Sequence, residues 1–253
     1  MQQTDQFERY EKEKPAFFQA IRTLEAKHNT SIIEKMKERR YDFDSFRGVM
    51  IEVEFGLFLD QFAEKLEYEP NINGKTPDWL ATINGRPTIV EVARLKDSAE
   101  VAEQSKLDEE TGIIHFRLLG SKPQRIFHNV IWRKSDRYAN ILKSTGYAFI
   151  IGIYNTPGSE VRKSDAAQLL HGRSIEYQYS KKIEIDRSDT IFYSENYPDI
   201  KAILNGVLWL EQPSFDPSTG INAQNRFMYW SNDNAANSIG EVEALKAIAG
   251  RYD

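Results

Sequence analysis

The sequence predicts a mixed α/β domain, a sheet flanked by helices, on three observations. Apolar residues at helical spacing run over 43–66, two β-rich runs meet at Asn84-Gly85, and a helical stretch over 123–142 leads into the apolar run YAFIIGIY. Helix, hairpin, helix and strand in that order give a sheet with helices packed against it.

Each element has its own signal. Residues 4–39 are charged and helix-prone, with apolar marks at Phe7, Phe17, Phe18, Ile21, Leu24, Ile32, Ile33 and Met36, and predict a helical arm interrupted near Pro15. Over 43–66 the stripe of Met50, Ile51, Leu57, Phe58 and Phe62 predicts a helix buried on at least one side. KTPDWLATINGRPTIVEVARLKD reads as two strands joined at Asn84-Gly85, a strong short hairpin signal. A third helix covers Pro123 to Leu142, and the run after Gly146 reads as a buried strand. Beyond Asn155, short strands are expected at KKIEI, TIFYS, GVLWL and RFMYW, and a closing helix over 241–249. The expected organisation is an N-terminal helical arm (1–42), a core (43–155) and a β-rich C-terminal extension (156–253) packed on it, one domain overall.

At 253 residues and 40% hydrophobic content the chain can bury one substantial core. Cysteine is absent, which excludes a disulfide framework, a thiolate nucleophile and a Cys-based zinc site, and suits a reducing compartment. The first residues lack the apolar run of a signal peptide, and no stretch approaches the ~20 apolar residues of a membrane span. The expectation is a soluble, cytoplasmic protein without a membrane partner. A net charge of −5 supplies no global attraction for nucleic acid, so a polyanion needs a local basic patch. His28, His115, His128 and His171 lack metal-ligand spacing, and neither a serine nucleophile elbow nor a phosphate-cradling glycine loop is present.

The hairpin carries the chemistry. With Asn84 and Gly85 central in a type I′ turn, Ile83 pairs with Arg86 and Asp78 falls opposite Glu91, in the non-hydrogen-bonded kind of pair where side chains approach most closely. Pro87 also falls in such a pair, where its missing N–H costs the ladder nothing. Asp78, Leu80, Thr82, Pro87, Ile89, Glu91 and Ala93 share one face; Trp79, Ala81, Ile83, Thr88, Val90 and Val92 share the other. Both faces are largely apolar, so the hairpin should be covered on both sides. Two carboxylates about 5 Å apart repel by about 3 kcal/mol at an effective dielectric near 20. A divalent cation such as Mg²⁺ would offset that and leave positions for water and phosphate. The alternative is one acid in solvent at a strand end and the other paired with Arg94 or Lys75.

On the second helix Glu54 interrupts the apolar stripe between Met50, Ile51 and Leu57, Phe58, and should meet a metal or a basic residue. Glu52, beside Gly48, Val49, Phe55 and Gly56, reads as a solvated or peripheral acid.

Thr76-Pro77-Asp78, a strand, a short turn and Ile89-Val90-Glu91-Val92, with a Glu-bearing helix upstream, resembles the PD-(D/E)xK nuclease superfamily over about residues 46–154. The resemblance implies a restriction endonuclease-like core in which Asp78 and Glu91 bind Mg²⁺ (or Mn²⁺) and Glu54 is the accessory helix acid. It implies hydrolysis of a phosphodiester in nucleic acid, DNA ahead of RNA; a homodimer would suit an enzyme that cuts both strands, and a partner protein is the other expectation. The chain departs from the pattern at Ala93, where the superfamily carries its lysine. Arg94 and Lys96 fall on the opposite strand face. Lys134, within the inward stripe of Phe127, Val130, Ile131, Tyr138, Ile141 and Leu142 on the third helix, is the first substitute and Lys122 the second. Lys134 also reads as a side chain whose stem packs while its ammonium reaches water. The rival reading is a nuclease-like binding or scaffold subunit whose catalytic site has decayed.

Four weaker signals remain. Gln124 with Arg125 caps a helix or touches a phosphate, and Lys35, Lys37, Arg39 and Arg40 alternate with acids as on a solvated face. Lys163, Arg173, Lys181, Lys182 and Arg187, interleaved with Tyr177 and Tyr179, are candidates to line a nucleic-acid groove. RFMYWSNDNAAN mixes aromatics with polar turn residues and carries no assignable chemistry.

Overall fold

In a computed structural model, which describes residues 5–95, 123–156, 159, 161–177, 182–211 and 227–249, the hairpin forms at the predicted turn. Asn84 and Gly85 have φ of 50° and 71°, the left-handed values a type I′ turn requires at both central positions. β2 (Trp79–Ile83) and β3 (Arg86–Leu95) pair antiparallel with Ile83 opposite Arg86 and Trp79 opposite Val90. Continued one step past the last paired residues, that register sets Asp78, in the bend before β2, opposite Glu91.

Upstream lie α1 (Gln6–Glu13), α2 (Pro15–His28), α3 (Ile32–Glu38), α4 (Phe43–Leu59) and β1 (Lys65–Tyr68). Downstream come α5 (Pro123–Thr145), β4 (Ala148–Asn155), α6 (Lys163–His171), β5 (Arg173–Tyr177), β6 (Lys182–Asp186), α7 (Pro198–Ile203), β7 (Gly206–Glu211), β8 (Phe227–Ser231) and α8 (Glu243–Lys246). A six-stranded mixed sheet runs β1-β2-β3-β4-β7-β8, with β3/β4 and β4/β7 parallel and the other pairs antiparallel. β5 and β6 form a separate two-stranded sheet. The main sheet thus continues across the 155/156 boundary into the C-terminal segment.

Alternation along β3 divides the core. Val90 and Val92 pack with Trp79 under α4 and the N-terminal helices, alongside Phe18, Ile21, Phe46 and Phe58. Ile89, Ala93 and Leu95 pack on the other face with Phe127, Ile131 and Tyr138 of α5. The hairpin is covered on both sides because both faces are apolar. α4 is anchored by a contact only glycine allows: a Cβ on Gly56 would lie 2.2 Å from Trp79 Cζ2. The Trp79 indole N–H donates to the Glu52 carbonyl at 2.8 Å, fixing the helix against the start of β2.

Three expected elements differ. The helix predicted over 43–66 stops at Leu59, and Leu66 belongs to β1, opposite Ala81. Phe62 and Leu66 kept helical spacing, but Phe62 lies in the turn and Leu66 in the edge strand β1, paired with β2 on one side while its N–H donates to His28 Nδ1 at 3.2 Å on the other. TIFYS is a turn segment: Ile191 and Phe192 are buried, and their N–H groups donate to Leu169 and Leu170 carbonyls at the end of α6. The closing helix shrinks to Glu243–Lys246, after which the chain turns so that the Ile248 carbonyl accepts from Tyr229 on β8. Among the described residues, no helix is long and apolar enough to cross a membrane.

Candidate functional site

Glu91 is the centre of the site. It is 1% exposed, in the middle of β3, and both its oxygens are engaged by α5. Oε1 accepts from Lys134 Nζ at 2.7 Å and from an Arg137 guanidinium nitrogen at 3.3 Å; Oε2 accepts from the Tyr138 hydroxyl at 2.8 Å. Positions 134, 137 and 138 are i, i+3 and i+4, one helix face, which is why three side chains can converge on one carboxylate. Burial and the Glu91 charge hold the Tyr138 hydroxyl protonated well past its ordinary range.

Asp78, immediately before β2, is held by main chain on two sides. Its Oδ2 accepts from the Val92 N–H at 2.6 Å and its carbonyl accepts from the Glu69 N–H at 3.0 Å. Its carboxyl is pushed well above the usual range, first by burial and then by the charges of Glu52 and Glu91, with Lys134 and the Val92 N–H opposing. Asp78, Glu91 and Lys134 are therefore brought together.

The helix acid of this cluster is Glu52, where the sequence pointed to Glu54. Its carboxylate accepts from the Tyr68 hydroxyl of β1 at 2.6 Å. Burial raises its pKa, Tyr68 opposes, and Glu69 and Glu91 raise it further. Glu52 is thus not peripheral; Glu54 is half-buried on α4 and is not one of the groups acting most strongly on Asp78. Lys35 pairs with Glu69 and Arg39 lies 3.9 Å from it, so part of the N-terminal basic cluster faces the rim of this acidic region. Sequence reasoning also passed over Arg137, although its i+3 spacing from Lys134 was a usable signal. Ala93 is buried in the layer beneath α5, and Arg94 points to the opposite face, 3.3 Å from Asp44. Lys96, Lys122 and the Gln124 side chain lie outside the described residues, as do His115, Lys181 and the side chains of Tyr177, Tyr179 and Lys182. Described His128 and His171 stay apart: His128 lies against Trp132 and Tyr197, and His171, buried beside Phe192, has its pKa lowered to about 4 by burial and then by Arg187.

Among the described residues, no group of three or more His, Asp and Glu side chains is gathered so as to hold a metal ion. A two-carboxylate site is compatible with Mg²⁺, which keeps several waters and is bound through one or two carboxylates plus phosphate. Asp78 and Glu91 fit that requirement in donor type. No described donor reaches Asp78 Oδ1, and the charge of Asp78 is under-compensated where it sits. Compared with known proteins, the chain matches no family model, no curated protein and no solved structure.

Proposed function

We propose that the chain is a divalent-metal-dependent phosphodiesterase acting on nucleic acid, with a restriction endonuclease-like core spanning α4, β1, β2, β3, α5 and β4. The observation that carries the reading is Lys134 Nζ, 2.7 Å from Glu91 Oε1 and acting on the charge of Asp78: an ammonium from α5 stands beside the paired acids although position 93 is alanine. Asp78 and Glu91 are the residues that would hold Mg²⁺ or Mn²⁺, and Glu52, rather than Glu54, is the supporting helix acid. Bound there, such an ion would supply Lewis-acid activation of water and of the phosphoryl oxygen.

The chain's own groups do the rest. Lys134 offers a fixed positive charge to the non-bridging oxygens as negative charge builds on phosphorus. Arg137, 44% exposed and 3.3 Å from Glu91, would take the incoming phosphate from the solvent side. Tyr138 holds the Glu91 carboxylate in orientation, and the Val92 N–H does the same for Asp78.

A second reading, a nuclease-like binding subunit without catalysis, is favoured by the closure of Glu91 onto Lys134 and Arg137, which satisfies that acid without a metal. One assay separates them. Plasmid, linear and single-stranded DNA and RNA are incubated with Mg²⁺, Mn²⁺ or chelator, alongside Asp78→Ala and Glu91→Ala. Metal-dependent cleavage that both substitutions abolish supports the enzyme. Binding with no cleavage under any metal selects the second reading, and cleavage that survives the double substitution ends the assignment of these acids.

A further inference from the structure

We infer that the exposed ridge of α5 is a track for a single nucleic-acid strand leading into the acidic site. The inference rests on the reading of that site as a phosphodiesterase, but it names a surface the site itself does not require. α5, PQRIFHNVIWRKSDRYANILKST, carries five Lys and Arg against a single Asp, in a chain whose net charge is −5. Arg125, Asn129, Arg133 and Arg137 recur every four residues and are all exposed, so they form one ridge with stations about 6 Å apart along the axis. The ridge ends at Arg137, whose guanidinium lies 3.3 Å from Glu91. Among the described residues no side chain is paired with Arg125 or Arg133, and Asp136 is the one acid in the sequence of α5 itself.

Trp132 selects the kind of strand. It is 47% exposed on the same side of α5, while the chain's other three tryptophans, Trp79, Trp209 and Trp230, are buried. Its ring lies against His128, with centroids 6.1 Å apart and planes 23° from parallel. A rigid exposed indole beside a row of guanidinium groups is what an unpaired base needs: a face to stack on, with phosphates tracked alongside. A duplex keeps its bases stacked internally and has no use for that face.

The test reads binding separately from cleavage. With chelator present, an oligothymidylate of about 20 nucleotides is titrated into the wild-type protein and Trp132 fluorescence is followed, with Trp132→Phe as the blank. The expected result is quenching that Trp132→Phe lacks, about tenfold weaker binding by that variant, and affinity that falls with salt. Arg125→Ala/Arg133→Ala should flatten the slope of log K against log salt by about 1.4, two single-strand phosphate contacts. Circular dichroism should show both variants folded, since the substituted side chains are exposed. Absence of quenching, an unchanged slope in the double variant, or tighter binding of a duplex of the same length would each overturn the track. Because no metal is present, failure here leaves the cleavage result standing, and failure of cleavage leaves this one standing.

Discussion

Replacing Asp78 by Asn should stabilise the fold at neutral pH while removing a proposed metal ligand. The asparagine keeps a carbonyl oxygen for the Val92 N–H, which Asp78 Oδ2 accepts at 2.6 Å, so the exchange removes charge and little else. In the non-hydrogen-bonded register the Asp78 and Glu91 side chains start about 5 Å apart, and two unit charges at that separation repel by ~3 kcal/mol at an effective dielectric near 20. Lys134 opposes this at Asp78, leaving about 1–2 kcal/mol, or about 2–8 °C in melting temperature for a chain of this size. The sign with pH follows from the raised pKa. The folded carboxyl holds its proton more tightly than the unfolded one, so the contribution of Asp78 to stability is full below the unfolded value near 3.9 and is lost as pH rises through the folded value. Urea unfolding near pH 4 and near pH 8 should therefore show the variant and the parent alike at the low pH and the variant ahead at the high one. Magnesium should stabilise the parent and leave the variant nearly unchanged. A variant less stable than the parent near pH 8, or an offset that is the same at both pH values, would refute the electrostatic account of this site.

Other substitutions probe the surrounding groups. Lys134→Ala leaves a buried Glu91 with only a half-exposed arginine and a tyrosine, and should cost ~1–3 kcal/mol in denaturant unfolding near neutral pH and abolish cleavage. Adding Ala93→Lys to that background should restore part of the cleavage, since Ala93 shares the strand face of Glu91; no recovery in a folded double variant would count against a transferable ammonium. Tyr68→Phe removes the 2.6 Å donor from Glu52, so its carboxyl should rise further and stability should fall by ~1–3 kcal/mol, more at high pH than at low, in pH-dependent unfolding. Gly56→Ala drives a methyl to within 2.2 Å of the Trp79 ring and should destabilise by ~1–3 kcal/mol while shifting α4; a melting temperature equal to the parent's would show that the contact relaxes freely.

The parts of the site that were legible in the sequence are those whose causes are local. Asn84-Gly85 sets the turn, the turn sets the register, and the register carries Asp78 and Glu91 to each other without any long-range information. The helix acid has no such local cause. α4 is apolar nearly all round, with Val49, Ile51, Val53 and Phe55 buried as well as Met50 and Phe58, so a search for an acid interrupting one stripe could not tell Glu52 from Glu54. What distinguishes Glu52 is the Tyr68 hydroxyl of β1 and the Trp79 indole on its carbonyl, and β1 was the strand that the helical reading of 43–66 ran across. Misplacing the helix end and passing over Glu52 are one error: the spacing of Phe62 and Leu66 imitates a helix, and the strand it hides supplies the acid's partner.

The same distinction explains Ala93. A lysine two residues after Glu91 would share its strand face, and α5 covers that face, with Phe127, Ile131 and Tyr138 in the layer that contains Ala93. Because β3 and β4 are parallel, the chain between them must cross the sheet, and α5 is the described helix of that crossover. A charge on α5 can therefore reach the same carboxylate as a charge on β3 while its stem packs along the helix. Lys134 does so at 25% exposure, with Tyr138 one turn later closing the other oxygen of Glu91. Ala93 leaves this face of β3 without a charge of its own, and α5 brings one to Glu91 from across the layer.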